Sequence, residues 1–123
     1  MILIKTYISQ SKIPNAGLGV FSAERVHRGQ EVTPSVPGTY DIFTDEEYEK
    51  SHPSFQNFIS EFGCYKNGVW TLEKDNEKFI NHSRNPNLDP GGFALRDIAP
   101  GDELTYDYRE VDESIQDDPP DWL

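Results

Sequence analysis

The sequence predicts a mainly β domain built from short strands, with one or two short helices. Three observations carry that expectation. Nine glycines and nine prolines are scattered through 123 residues, which breaks the chain into many short elements joined by turns. The strand-like apolar runs are brief and bounded by turn residues. Helical patterning is confined to one region, from Thr44 to Phe62.

In chain order, Ile2-Leu3-Ile4 with the following Tyr7-Ile8 reads as an opening strand. Pro14-Asn15-Ala16-Gly17 is turn chemistry, and Val20-Phe21 is a short strand after it. Arg28-Gly29-Gln30 turns the chain before Glu31-Val32-Thr33, and Pro34, Pro37 and Gly38 then exclude regular structure. Thr44-Asp45-Glu46-Glu47 matches a capping box, with Thr44 as N-cap and Glu47 at N3, and starts a helix that runs to about Lys50. Phe55, Phe58, Ile59 and Phe62 recur at i, i+3, i+4 and i+7, which fits a second helix. The glycine at 63 leaves a bent strand as the alternative there. Val69-Trp70-Thr71-Leu72 is a strand that ends in the charged turn Glu73-Lys74-Asp75-Asn76.

Phe93 to Ile98 is a further strand, and Pro100-Gly101 turns the chain into a last one, Glu103 to Tyr108. On a strand, Tyr106 and Tyr108 would face the same way. From Glu110 to Leu123 there are six acids and no lysine or arginine. That stretch reads as a solvated tail ending in Trp122-Leu123, an apolar pair that would prefer to dock.

A length of 123 residues is that of one domain. Only 35% of residues are apolar, but seven Phe, six Tyr and two Trp carry much burial each. The single cysteine, Cys64, excludes an internal disulfide and a cysteine-rich zinc site. Met1 to Lys5 lacks a secretory h-region, and no apolar run approaches a membrane span, so a soluble, intracellular protein without membrane contact is expected. A net charge of −11, from 22 acids and 11 bases, argues against direct contact with nucleic acid and suits a basic partner such as a lysine-rich peptide.

Gly17-Leu18-Gly19 leads from a turn into a strand but lacks the third glycine and the helix of a dinucleotide fingerprint. Alone it is a turn. Asn81-His82-Ser83 is less ordinary, because three polar side chains end the apolar pair Phe79-Ile80, but as an isolated triplet it reads as a satisfied polar cluster that closes a loop. A Ser-His hydrolase pair is disfavoured, since neighbours on an extended segment point apart and no nucleophile elbow exists. His27, His52 and His82 have no ligand-type spacing, so no metal site is expected.

Taken in order, the motifs carry a resemblance. "GLGVFSAERVHRGQEV", "KFINHSRNPNL" (with Lys78 where arginine is usual) and "ALRDIAPGDELTYDY" together resemble the SET-domain protein lysine methyltransferases, from about Asn15 to Tyr108. The resemblance implies a fold of several small sheets with a knot-like core, in which the segment after Asn81-His82 threads by the closing motif. It places the domain at 1–109 and an acidic tail at 110–123. It implies S-adenosylmethionine as cofactor, held around Gly17, Leu18 and Gly19 and by Phe79, Asn81 and His82. The partner would be a lysine-containing basic protein or peptide, methylated on the ε-amine. Tyr108 matches the catalytic tyrosine, in an orienting and electrostatic role.

Tyr106 falls where relatives carry phenylalanine or tyrosine, and a tyrosine there implies mono- or dimethylation. Many relatives close the lysine channel with a cysteine-rich zinc module, for which this sequence has no cysteine beyond Cys64. The "NLDPGGF" stretch also looks shorter than the hairpin usual there. The expectation is a minimal enzyme whose own tail folds back, with Trp122 over the adenine side and Asp117, Asp118 and Asp121 rimming the channel. A catalytically inactive SET-like module that binds a basic peptide or protein is the alternative from a different class.

Overall fold

The capping box forms as its spacing predicts: Glu47 N donates to Thr44 Oγ1 and Thr44 N donates to Glu47 Oε1, both at 3.1 Å. In this computed structural model, which describes residues 1–115, the box opens helix α1 (Asp45–Lys50). Helix α2 (Pro53–Phe62) follows, with His52 as N-cap and proline in its first turn, where a missing N–H costs nothing. The period-3.6 row is real, so the bent-strand alternative falls. Phe55 stacks on Phe58, Phe58 meets Phe62, and Phe62 reaches Phe79 edge-on with ring centres 5.4 Å apart.

The strands form three small sheets. Strands β1 (Thr6–Gln10) and β2 (Leu18–Ser22) make an antiparallel pair, with Ile8 opposite Val20. Strands β3 (Tyr40–Thr44), β4 (Cys64–Lys66) and β5 (Val69–Glu73) form a sheet with β5 in the middle. A 3-10 turn at Asn76–Phe79 then delivers β6 (Asn81–His82), which pairs in parallel with β7 (Thr105–Tyr106). Asn87 staples the intervening chain to the closing segment. Its Nδ2 donates to Glu103 O at 2.8 Å, and its Oδ1 accepts from Thr105 N at 2.9 Å. The chain after Asn81-His82 therefore runs beside the closing motif.

Val20, Val26, Val32, Ile80, Leu88, Ala94, Ile98 and Leu104 form the buried core. Each fully buried aliphatic side chain of this size contributes about 1.5–3 kcal/mol. Ile80 leads directly into β6 and Leu104 into β7, so core burial fixes the polar residues that follow them. Among the described residues no helix is long and apolar enough to cross a membrane.

The sequence does not predict strands β3 and β4, and four expected segments come out differently. The opening strand starts only at Thr6, because Ile2 N is taken by Asp75 Oδ2 and Leu3 N by Val32 O. Phe93 to Ile98 makes only single-residue bridges. Its partner segment turns at His27–Gln30, where Gln30 N donates to His27 O, so no ladder can run through. Tyr108 is not on a strand with Tyr106. Asp107 caps a short helix α3 (Tyr108–Val111) by accepting from Arg109 N, and the chain leaves β7 there. The acidic stretch is packed as far as Ile115: Asp112 is buried, and Glu113 N donates to Tyr65 O at 2.7 Å, which covers the edge of β4. Asp117, Asp118, Asp121, Trp122 and Leu123, and with them the expected lid, lie outside the described residues.

Candidate functional site

Tyr108 stands between two cavities. The smaller, about 180 Å³, is lined by Asn15, Gly17, Leu18, Phe79 and Asn81. The larger, about 260 Å³, is lined by Thr33, Cys64, Glu73, Glu77, Ile80 and Tyr106, among others. Glu61, Phe62, Lys78 and Tyr108 line both. Of the residues singled out from sequence, Gly17, Leu18, Phe79 and Asn81 therefore come together in one cavity and Tyr106 in the other. Gly19 and His82 stand behind these walls rather than in them.

Gly19 is where side chains crowd the backbone. A Cβ there would lie 2.5 Å from Glu103 Oε2 and 3.3 Å from Asn81 Nδ2. Glu103, which the sequence reading missed, is the hub. It accepts from Ser11 Oγ at 2.7 Å, from Lys12 N at 3.0 Å and from Asn81 Nδ2 at 3.1 Å. Asn81 Nδ2 also donates to Leu18 O at 2.8 Å, so both amide hydrogens are engaged by oxygens. That fixes the amide orientation and leaves Oδ1 as an acceptor for a group in the smaller cavity.

His82 is fully buried and works through the backbone. Its Nδ1 accepts from Tyr108 N at 2.8 Å. Burial holds its pKa below the usual 6.5, against the pull of Asp107. Asp107, in turn, is held below the usual carboxylate range by hydrogen bonds from Arg109.

Tyr108 Oη donates to Ile80 O at 2.5 Å. The Tyr106 hydroxyl is hydrogen-bonded to Thr33 Oγ1. Burial pushes both phenols well above their usual pKa, so both stay neutral. Cys64 is likewise pushed up to about 12 by burial and remains a thiol. Glu77 is pushed up to about 7, chiefly by burial, and holds the amino group of Met1 at 2.6 Å. The larger cavity thus pairs neutral aromatic walls with carboxylates that take an ammonium. Thr33, Glu73 and Glu77 lay outside the motif blocks that carry the resemblance. The signal that could have found the two acids is their place at and just after the charged turn Glu73–Asn76 that precedes Phe79.

A family model described as SET domain matches residues 17–109. Among curated proteins, the chain is 28% identical over 118 residues to the Variant-silencing SET domain-containing protein of Plasmodium falciparum, covering 79% of this chain and 4% of that protein. The chain thus spans a small fraction of that relative. Among solved structures it is similar to a candidate histone methyltransferase of Plasmodium falciparum, with TM-score 0.61 and 21% identity over 87% of this chain and 95% of that one. It is also similar to Polycomb Repressive Complex 2 of Chaetomium thermophilum in an autoinhibited conformation bound to S-adenosylmethionine, with TM-score 0.64 and 18% identity over 88% of this chain and 16% of that one.

Proposed function

The chain belongs to the SET-domain family, and from that premise we propose that it methylates the ε-amine of lysine in a basic protein, with S-adenosylmethionine as methyl donor. The observation that carries this reading is the position of Tyr108, in the wall of both cavities. One cavity suits a cofactor and the other an acceptor side chain, and of the residues that line both, Tyr108 is the one that carries a hydroxyl.

The smaller cavity fits the donor. Asn81 Oδ1 is free to accept from an α-ammonium, while Leu18 and Phe79 supply apolar surface for a purine ring. When bound, S-adenosylmethionine supplies a methyl group made electrophilic by a positively charged sulfur. A lysine ammonium, with an ordinary pKa of about 10.4, must lose a proton to solvent before its nitrogen is nucleophilic. Tyr106 and Tyr108 desolvate it, which lowers that pKa. Because Tyr108 donates its own proton to Ile80 O, its oxygen is left to accept from the amine and orient it. A phenol with a raised pKa orients better than it abstracts.

Glu61, Glu73, Glu77 and Asp112 line the larger cavity together with Lys66 and Lys78, Glu73 and Glu77 hold the Met1 amino group, and the chain carries −11 overall. The overall charge favours a basic substrate, and core histones are the class we propose, through a contribution that salt screens. The tyrosine at 106 supports mono- or dimethylation. The test is incubation of the purified protein with isotopically labelled S-adenosylmethionine and core histones, read by mass spectrometry. Calorimetry of cofactor binding without added metal accompanies it. Labelled mono- or dimethyl-lysine is expected. Cofactor binding without transfer to any basic protein would instead mark a binding module, and absence of cofactor binding would remove the reading altogether.

A further inference from the structure

Tyr106 is held at both ends. Its backbone is fixed in β7, opposite His82, and its carbonyl accepts from Ser83 N at 2.8 Å. Its hydroxyl is bonded to Thr33 Oγ1, and Thr33 itself is only 5% exposed. Thr33 is gripped in turn. Thr33 N donates to Gly92 O at 3.1 Å, beside the bond from Val32 N to the same oxygen at 2.8 Å. Gly92 sits at φ +85°, and a Cβ there would collide with the Thr33 carbonyl and come within 2.5 Å of its Oγ1. The glycine is what lets the threonine hydroxyl reach the tyrosine.

The hydrogen-bond inventory gives the pair a definite capacity. Each hydroxyl has one proton and two lone pairs, and one proton is shared between them. Among the described residues neither hydroxyl has another hydrogen-bond partner, so one O–H and unused lone pairs remain for a group in the larger cavity. Thr33 and Tyr106 both line that cavity, as do Pro90 and Gly91.

We propose that Thr33 is a positioning residue which, by holding the Tyr106 hydroxyl in the cavity wall, sets how many methyl groups the acceptor lysine receives. The inference rests on the methyl-transfer reading above. With the hydroxyl anchored, the wall is narrow and polar where a methylated nitrogen would sit. Without the anchor the phenol can swing aside, and the wall accommodates a bulkier amine.

Thr33→Val removes the hydroxyl and keeps the branched shape, Thr33→Ser keeps the hydroxyl, and Tyr106→Phe removes the other partner. Product distributions on core histones are compared by mass spectrometry for these variants and for the Thr33→Val/Tyr106→Phe double variant. The rate of later relative to first methyl additions should rise about fivefold in Thr33→Val, the scale of one ordinary hydrogen bond. It should stay near the parent value in Thr33→Ser, and the double variant should match Tyr106→Phe alone. Thermal unfolding of the same set gives a readout without turnover, in which the double variant melts no lower than the worse single variant. An active parent with an unchanged distribution in Thr33→Val, or additive effects in either measurement, overturns the inference alone. A parent that binds cofactor but transfers no methyl overturns the reading beneath it.

Discussion

The main-chain N–H of Tyr108 donates to Nδ1 of His82 at 2.8 Å, and the two rings meet edge-on with centres 5.3 Å apart. Because Nδ1 is an acceptor, the proton of the neutral imidazole is on Nε2. That N–H is buried and has no hydrogen-bond partner among the described residues. His82 therefore contributes to the site as a support of Tyr108, which it can hold only while neutral.

The state of His82 gives a pH dependence with a definite sign. Its folded pKa is lowered from 6.5 by burial, so the unfolded chain binds the proton more readily. The stability that the neutral ring contributes is complete above 6.5 and is lost as pH falls through the folded value. Asp107 opposes the shift, while Arg109 and Arg84 add to it. Melting curves of the parent and His82→Gln across this range should show the parent's advantage shrinking with acid. An advantage independent of pH would mean that the ring does not titrate against folding.

Gly19→Ala tests the Glu103 hub. The new Cβ would lie 2.5 Å from Glu103 Oε2, and the carboxylate must move away from Ser11, Lys12 and Asn81. Losing one or two hydrogen bonds to a charged group should cost about 2 kcal/mol in chemical unfolding. Freed from Glu103, the Asn81 amide can turn, and affinity for S-adenosylmethionine should fall about tenfold, equivalent to ~1.4 kcal/mol. Unchanged affinity would show that the Asn81 orientation is set by Leu18 O alone.

Local chemistry was legible wherever it decides structure locally. The Thr44 capping box and the Phe55-to-Phe62 row needed no tertiary information, and both helices stand where the pattern put them. From the residues alone the Asn81-His82 pair reads as a satisfied polar cluster closing a loop, and only the resemblance of the surrounding motif marks it as a candidate site. What stayed hidden depends on distant contacts. Tyr106 and Tyr108 alternate as a strand would, but the Asp107 cap and the His82 acceptor divert the chain into a helix after Asp107. Thr33 looked like the ordinary last residue of the short segment Glu31-Val32-Thr33. Its importance appears only when Gly92, 59 positions later, brings it against Tyr106.

Tyr108→Phe separates orientation from shape. The ring still closes both cavities, and only the hydroxyl and its 2.5 Å bond to Ile80 O are lost. Folding stability should drop by about 1 kcal/mol. Methyl transfer should fall about 100-fold, the usual scale for removing one oriented polar group from a reacting centre. Cofactor binding by calorimetry should be unaffected. Full activity in this variant would leave the residue as cavity lining and nothing more.

Asp112 is the last test, because it joins the closing helix to the sheet that walls the larger cavity. It is 4% exposed, and its Oδ1 accepts from Tyr65 N at 3.2 Å, Ser114 N at 2.9 Å and Ser114 Oγ at 2.6 Å. Its neighbour Glu113 also bonds across to the β4 turn, accepting from Asn67 N at 3.2 Å, but it does so in solvent. Burial should decide between them. Asp112→Ala leaves the Tyr65 N–H without its acceptor in a part-buried place and should cost about 2–3 kcal/mol, whereas Glu113→Ala should change stability by under about 0.5 kcal/mol. Val111, Asp112 and Ile115 line the larger cavity, so loosening this joint should also raise KM for a histone peptide with little change in cofactor affinity. Equal effects from the two acids would show that the joint is held by its backbone bond from Glu113 N to Tyr65 O and not by the buried carboxylate.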